Sequence, residues 1–154
     1  MKKIVLDTWN TKETFNLGKK LGKLASKGEI YCLEGDLGTG KTVFTQGFAT
    51  GLGIIEPVNS PTFTILQVYE EGRLPLYHFD VYRIGDPEEM YEIGYEDYFF
   101  GEGVCLIEWP SLIEELLPED VCHIQIEKDL EKGTDYREIE LLIREDKADE
   151  IISN

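Results

Sequence analysis

The apolar positions change period repeatedly along the first fifty residues. "KIVLDT" has the character of a short strand. "NTKETFNLGKKLGKLAS" then places Leu17, Leu21, Leu24 and Ala25 on one helical stripe, with Asn10 or Thr11 as N-cap and lysines toward the end. This spacing predicts a helix that packs on a sheet through that stripe. In "GEIYCLEGDLGTGKTVFTQGFATGLG" an apolar run from Ile30 to Leu33 precedes a glycine-rich loop. Phe44, Phe48 and Leu52 then recur every four residues before Gly53 as a stop. The segment reads as strand, loop and helix.

Pro57 and Pro61 bracket a polar linker, "EPVNSPT", after which "FTILQVYE" and "RLPLYHFDVYR" read as two strands joined at Glu71-Gly72. "GDPEEMYEIGYEDYFF" offers Asp86 as N-cap, Pro87 at the first helical position and two glutamates in the first turn, which predicts a short acidic helix. "GVCLIEWP" is almost uniformly apolar up to a carboxylate and suits a strand buried on both faces. "SLIEELLP" turns back as a short helix. "DVCHIQIE" and "YREIELLI" alternate as a closing antiparallel pair, and residues 145–154 read as a frayed acidic tail. Strand and helix alternate first and hairpins follow. The order predicts an α/β fold with a mixed, largely parallel central sheet and a C-terminal antiparallel hairpin, in a single domain over 1–154.

Composition narrows the classes. The 31 Asp and Glu against 15 Lys and Arg give a net charge of -16, which repels polyanions and disfavours a direct nucleic-acid groove. No apolar stretch approaches the roughly 20 residues that span a bilayer, and no leader pattern opens the chain, so a soluble, cytoplasmic protein is expected. Cys32, Cys105 and Cys122 stand singly in apolar runs and read as core thiols. His78 and His123, lacking the companions of a metal or triad site, read as structural.

The chemistry concentrates in "GDLGTGKT". Gly35, Gly40, Lys41 and Thr42 satisfy G-x-x-x-x-G-K-[ST] between a predicted strand and helix, the context the motif requires. Glycines let successive N–H groups converge on phosphate oxygens, the helix start presents its positive end, Lys41 adds a point charge, and Thr42 can offer its hydroxyl to Mg2+. This loop implies the three-layer fold of P-loop NTPases. A guanine-reading N-K-x-D run is absent, so ATP is preferred over GTP.

Phosphoryl transfer also needs an acid at a strand end for the metal and a group that orients the attacking water. Asp80 closes "LPLYHFD" and Glu108 closes "VCLIE". The more apolar second run assigns Glu108 to the metal side and Asp80 to water or metal positioning, with the division of roles open. Trp109 either stacks at the site mouth or fills core. Ser60, Pro61 and Thr62 have the composition of a loop that orders around a terminal phosphate or of plain linker.

"GDLGTGKT", "SPTF", "YHFDVYR", "DPEE", "DYF" and "CLIEWP" occur in an order that resembles the TsaE proteins, also called YjeE, over about Thr14 to Arg137. The resemblance implies a small ATPase using ATP and Mg2+, required for threonylcarbamoyl modification of the adenosine beside the anticodon in tRNAs reading codons that start with A. It implies TsaD, which holds the transfer site, and TsaB as partners, with tRNA met only through them. Carried over by position, Asp36, Leu37, Gly38, Thr39, Gly40, Lys41 and Thr42 would bind phosphates, with Val43 beside them. Thr42 and Glu108 would hold Mg2+, Asp80 and Lys41 would support hydrolysis, and Trp109 and Arg137 would line the nucleotide site. Thr11 and Thr14 would approach the adenine. A small-molecule kinase and a nucleotide-gated binding module remain as alternatives.

Overall fold

The computed structural model of the chain describes residues 1–36, 38–58 and 64–153. The expectations for Leu37 and for Ser60, Pro61 and Thr62 lie outside them. Strand β1 (Lys2–Thr8) leads into helix α1 (Thr11–Leu24), then β2 (Ile30–Glu34) and α2 (Lys41–Gly51). The hairpin of β3 (Leu66–Tyr69) and β4 (Leu76–Asp80) precedes short helices α3 (Glu89–Glu92) and α4 (Tyr95–Phe99). Strand β5 (Val104–Glu108), a 3-10 segment (Pro110–Leu116), β6 (Cys122–Lys128), β7 (Arg137–Ile143) and α5 (Glu145–Ser153) complete the chain.

The strands form one seven-stranded sheet in the order β1-β7-β6-β2-β5-β4-β3. Its centre, β6-β2-β5-β4, is parallel, and antiparallel partners flank it on both sides. Side-chain alternation along the strands divides the core between the two faces. Tyr31, Leu33, Leu106, Ile124 and Ile139 pack with Leu17, Leu21, Phe44, Phe48 and Ile151 of α1, α2 and α5. Cys32, Phe79, Cys105 and Ile107 pack with Met90, Tyr95, Phe99 and Ile113 on the other face. The result is the expected three-layer α/β arrangement, and burial on both faces explains why "VCLIE" shows no alternation.

Asn10 is the N-cap of α1. Its Oδ1 accepts the Glu13 amide at 2.9 Å, while Glu13 Oε1 accepts the Trp9 amide at 2.9 Å, a reciprocal arrangement that satisfies two donors at once. Asn10→Ala is expected to cost about 1 kcal/mol, which lowers the melting temperature by about 2–4 °C in a chain of this size. Thermal unfolding followed by circular dichroism checks this, and an unchanged midpoint would deny the cap any role.

Two expectations are corrected. Residues 145–153 are not a frayed tail but helix α5, docked through Ala148 and Ile151, which are buried. Lys147 Nζ reaches Glu29 Oε1 at 2.5 Å and Ser26 Oγ at 2.9 Å. The apolar pair is too sparse to mark a helix by pattern, and the ion pair links residues far apart in sequence. The acidic helix is also not continuous. Gly94, at φ 67°, breaks it into α3 and α4, and Asp86 Oδ1 accepts the Glu88 amide at 2.9 Å ahead of a helix that begins only at Glu89.

Helices α1 and α2 meet backbone to backbone. A Cβ on Gly18 would lie 2.4 Å from the Phe44 carbonyl oxygen, and one on Gly22 2.1 Å from that of Phe48. Reciprocally, a Cβ on Gly47 would lie 2.1 Å from the Phe15 carbonyl oxygen, and one on Gly51 2.2 Å from that of Lys19. Only glycine allows this approach, which brings the start of α1 beside the loop that precedes α2.

Candidate nucleotide site

Ligands in open α/β sheets sit outside the carboxyl ends of the parallel strands. There the loop after β2, the ends of β4 and β5, the start of α1 and the β6–β7 hairpin enclose a cavity of about 760 Å³. Its size suits a small organic ligand.

The loop is shaped by its own backbone. Gly38 and Gly40 have φ of 79° and 94°, left-handed conformations that would strain any side chain. Thr39 Oγ1 and the Thr39 amide both donate to the Asp36 carbonyl, at 2.8 and 3.3 Å, which closes the turn. The Phe44 amide donates to the Gly40 carbonyl at 3.0 Å as the first bond of α2. The amides of Lys41, Thr42 and Val43 therefore stand at the open, positive end of that helix, an anion-binding arrangement.

Of the residues expected at the site, Thr11, Thr14, Gly38, Thr39, Gly40, Lys41, Thr42, Val43, Asp80, Glu108, Trp109 and Arg137 all line this one cavity. Asp36 does not line it. Its side chain is exposed, and its carbonyl anchors Thr39. Thr14 is buried and tied to Thr8 through their hydroxyls at 2.7 Å.

The acids meet through sheet register. Asp80 is the Cα partner of Glu108 across parallel strands β4 and β5, so both carboxylates leave the sheet at the same edge. Burial pushes the Asp80 carboxyl above its ordinary range, and the Glu108 charge adds to this, while the Tyr82 amide, His78 and Lys41 oppose it. Glu108 is itself buried, with Oε2 at 2.7 Å from His78 Nε2. Burial lowers the Lys41 pKa, against the opposing charges of Glu108, Asp80 and Asp36.

Trp109 is neither plain core nor a free aromatic. Its φ of 63° is the only positive value at a non-glycine residue among the described residues, a strained conformation for so bulky a side chain. The kink folds the ring back over the loop, 3.7 Å from Lys41 Nζ and 4.8 Å from the Tyr82 ring. Arg137 Nε donates to the Thr39 carbonyl at 2.7 Å, and its Nη1 to the carbonyls of Thr134 and Tyr136 at 2.8 and 2.7 Å, so it clamps the loop to the hairpin.

Thr64, Ile65, Tyr82, Arg83 and Asp135 also line the cavity and were not anticipated. Tyr82 and Arg83 follow Asp80 directly in "HFDVYR", a signal that reading on past the acid finds. Asp135 and Thr64 carry no local signal. Among the described residues no cluster of three His, Cys, Asp or Glu side chains is placed to hold a metal by itself.

The profile of the family described as threonylcarbamoyl adenosine biosynthesis protein TsaE matches residues 8–139. The tRNA threonylcarbamoyladenosine biosynthesis protein TsaE of Bacillus subtilis is 51% identical over 139 residues, covering 90% of this chain and 85% of that one. Its namesake from Treponema pallidum is 46% identical over 110 residues, covering 71% of this chain and 81% of the relative. The crystal structure of Bacillus subtilis YdiB superposes with a TM-score of 0.80 at 41% identity, over 99% of this chain and 93% of that one. The matched span runs from Thr8 beneath α1 to the hairpin strand that carries Arg137, and so takes in every wall of the cavity: the chain belongs to the TsaE family of threonylcarbamoyl adenosine biosynthesis proteins.

Proposed function

We propose that the chain binds ATP with Mg2+ in this cavity and hydrolyses it, and that the cycle drives TsaD and TsaB. The product would be threonylcarbamoylated adenosine beside the anticodon of tRNAs reading codons that start with A. Family membership already places the chain in threonylcarbamoyladenosine formation. One observation carries the ATPase reading: Asp80 and Glu108, on adjacent parallel strands, open onto the same cavity as Lys41 and the amino end of α2.

Phosphate oxygens would be held by the amides of the loop and of the first turn of α2, with Lys41 supplying positive charge. Thr42 and Glu108 both line the cavity and would supply hard oxygen donors. Mg2+ is typically held by one or two such groups together with substrate phosphates rather than by an all-protein cage. When bound, the ion neutralises charge that builds on the phosphates. Asp80, half-buried and raised in pKa, would orient the attacking water. Thr11 and Thr14 stand where the far end of the nucleotide would lie.

The arginines favour hydrolysis over transfer to a small acceptor. Arg73 is spent on the carbonyls of Gly22, Lys23 and Ala25, and Arg137 on the loop. Of the remaining pair only Arg83 lines the cavity. The net charge of -16 supports contact with tRNA through partners alone.

The test is ATP turnover by the purified chain, alone and with TsaD and TsaB, with the tRNA product assayed for the modification. Turnover that is low alone and rises with the partners, together with modification that requires both chain and ATP, is the expected result. Turnover indifferent to the partners, with modification intact when the chain is omitted, would refute it. Modification that survives Asp80→Asn despite lost turnover would instead favour a nucleotide-gated binding module.

A further inference from the structure

We infer that His78 is a positioning residue for Glu108, holding the carboxylate in the orientation that presents it to the metal–nucleotide complex. The inference rests on the proposed ATPase reading and goes beyond it, since His78 does not line the cavity.

The geometry comes from the sheet. His78 lies opposite Leu106, and Asp80 opposite Glu108, so the four side chains share one face, with His78 a two-residue step deeper than the two acids. From there its ring reaches diagonally to Glu108, placing Nε2 at 2.7 Å from Oε2. The two side chains are 1% and 4% exposed. A carboxylate so buried is costly unless a donor meets it. The imidazole is that donor.

A packing role does not explain the choice of histidine. His78 Nδ1 is buried and has no hydrogen-bond partner among the described residues. An unsatisfied buried polar atom costs about 1–3 kcal/mol, which an apolar residue of similar volume would avoid. The position therefore carries a penalty that makes sense through the other ring nitrogen. The bare Nδ1 fits the tautomer with hydrogen on Nε2, since an orphaned acceptor is tolerated better than an orphaned N–H. In that form the Nε2–H donates to Glu108 Oε2 and orients the carboxylate. Tyr82 and Trp109, in ring contact at 4.8 Å, line the same cavity as the two acids, while His78 meets Glu108 from outside that lining.

Partners of this kind are worth 10–100-fold in metal affinity or activity where they have been removed. The test uses the full chain with ADP and Mn2+ as the probe, free Mn2+ being read by electron paramagnetic resonance. His78→Leu is expected to weaken Mn2+ binding about tenfold or more, to lower ATP turnover in parallel, and to leave ADP affinity in EDTA unchanged. His78→Gln, whose amide N–H takes the place of Nε2–H, is expected to restore most of both. If His78→Leu does not fold, His78→Asn serves in its place, because its amide is too short to reach Glu108.

Unchanged Mn2+ affinity in His78→Leu, or His78→Gln as weak as His78→Leu, overturns the inference. Glu108→Gln, measured alongside, separates the two readings. If it weakens Mn2+ binding while His78→Leu does not, only the positioning role falls. If it leaves Mn2+ binding intact, the metal role of Glu108 fails and the inference fails with it.

Discussion

Lys41→Met is expected to lower ATP turnover by about 10²–10³-fold, the cost typical of losing one preorganised charge stabiliser from a transition state. Methionine keeps most of the apolar stem beneath the Trp109 ring while the charge is lost. Lys41 stands at the mouth of α2 and interacts with Asp80 and Glu108, whose charges partly offset the burial that depresses its pKa. Without it the cavity would hold two carboxylates and lose a cation that interacts with both of them. The deficit should appear mainly in kcat, with ADP affinity reduced less, because charge builds on the transferred phosphoryl group more than on the ground state. A kcat within a fewfold of the parent would mean that the cavity is not the phosphate site.

Gly47→Ala is expected to destabilise the chain by about 2 kcal/mol, although alanine is the better helix former. The new methyl would stand 2.1 Å from the Phe15 carbonyl oxygen, a rigid backbone atom, so the helices must separate. Overpacking of this kind costs up to about 3 kcal/mol, against a gain of about 1 kcal/mol in helix propensity. The melting temperature should fall by about 4–8 °C. Adding Gly22→Ala should cost less than a second full increment, because separation already relieves part of the second clash. ATP affinity should fall as well, since the same separation draws Thr11 and Thr14 away from the loop. Gly85→Ala is the control: its nearest contact is 3.7 Å away, and it should leave stability unchanged. A Gly47→Ala chain as stable as the parent would show that the helices are not locked by these glycines.

The glycine-rich loop was legible because its signal is local. Glycines that must adopt positive φ, a lysine and a hydroxyl stand within eight residues, and the strand and helix around them announce themselves by period. The two acids were legible as strand ends. Their meeting was not, because the β4–β5 register is set by packing among residues such as Phe79, Leu106 and Ile107. Trp109 could not be resolved between core and site from its type alone. What decides it is a backbone kink held in the left-handed region, which the ring contacts with Tyr82 and Lys41 accompany.

The mistaken tail shows the same limit from the other side. "EDKADEIISN" has few apolar residues, and its helix docks through Ala148, Ile151 and a lysine that finds Glu29 more than a hundred positions earlier. The glycines that pair α1 with α2 show their purpose only where the two backbones meet. By itself the sequence determined most of the elements, the glycine-rich loop between β2 and α2 and the family resemblance, since periodicity, capping and short motifs report on neighbours along the chain. Tertiary structure alone decided which acids share a cavity, that Arg137 clamps the loop, that His78 holds Glu108, and how closely α1 approaches α2. Those are contacts between distant residues, and close packing of the whole core selects them rather than any local preference.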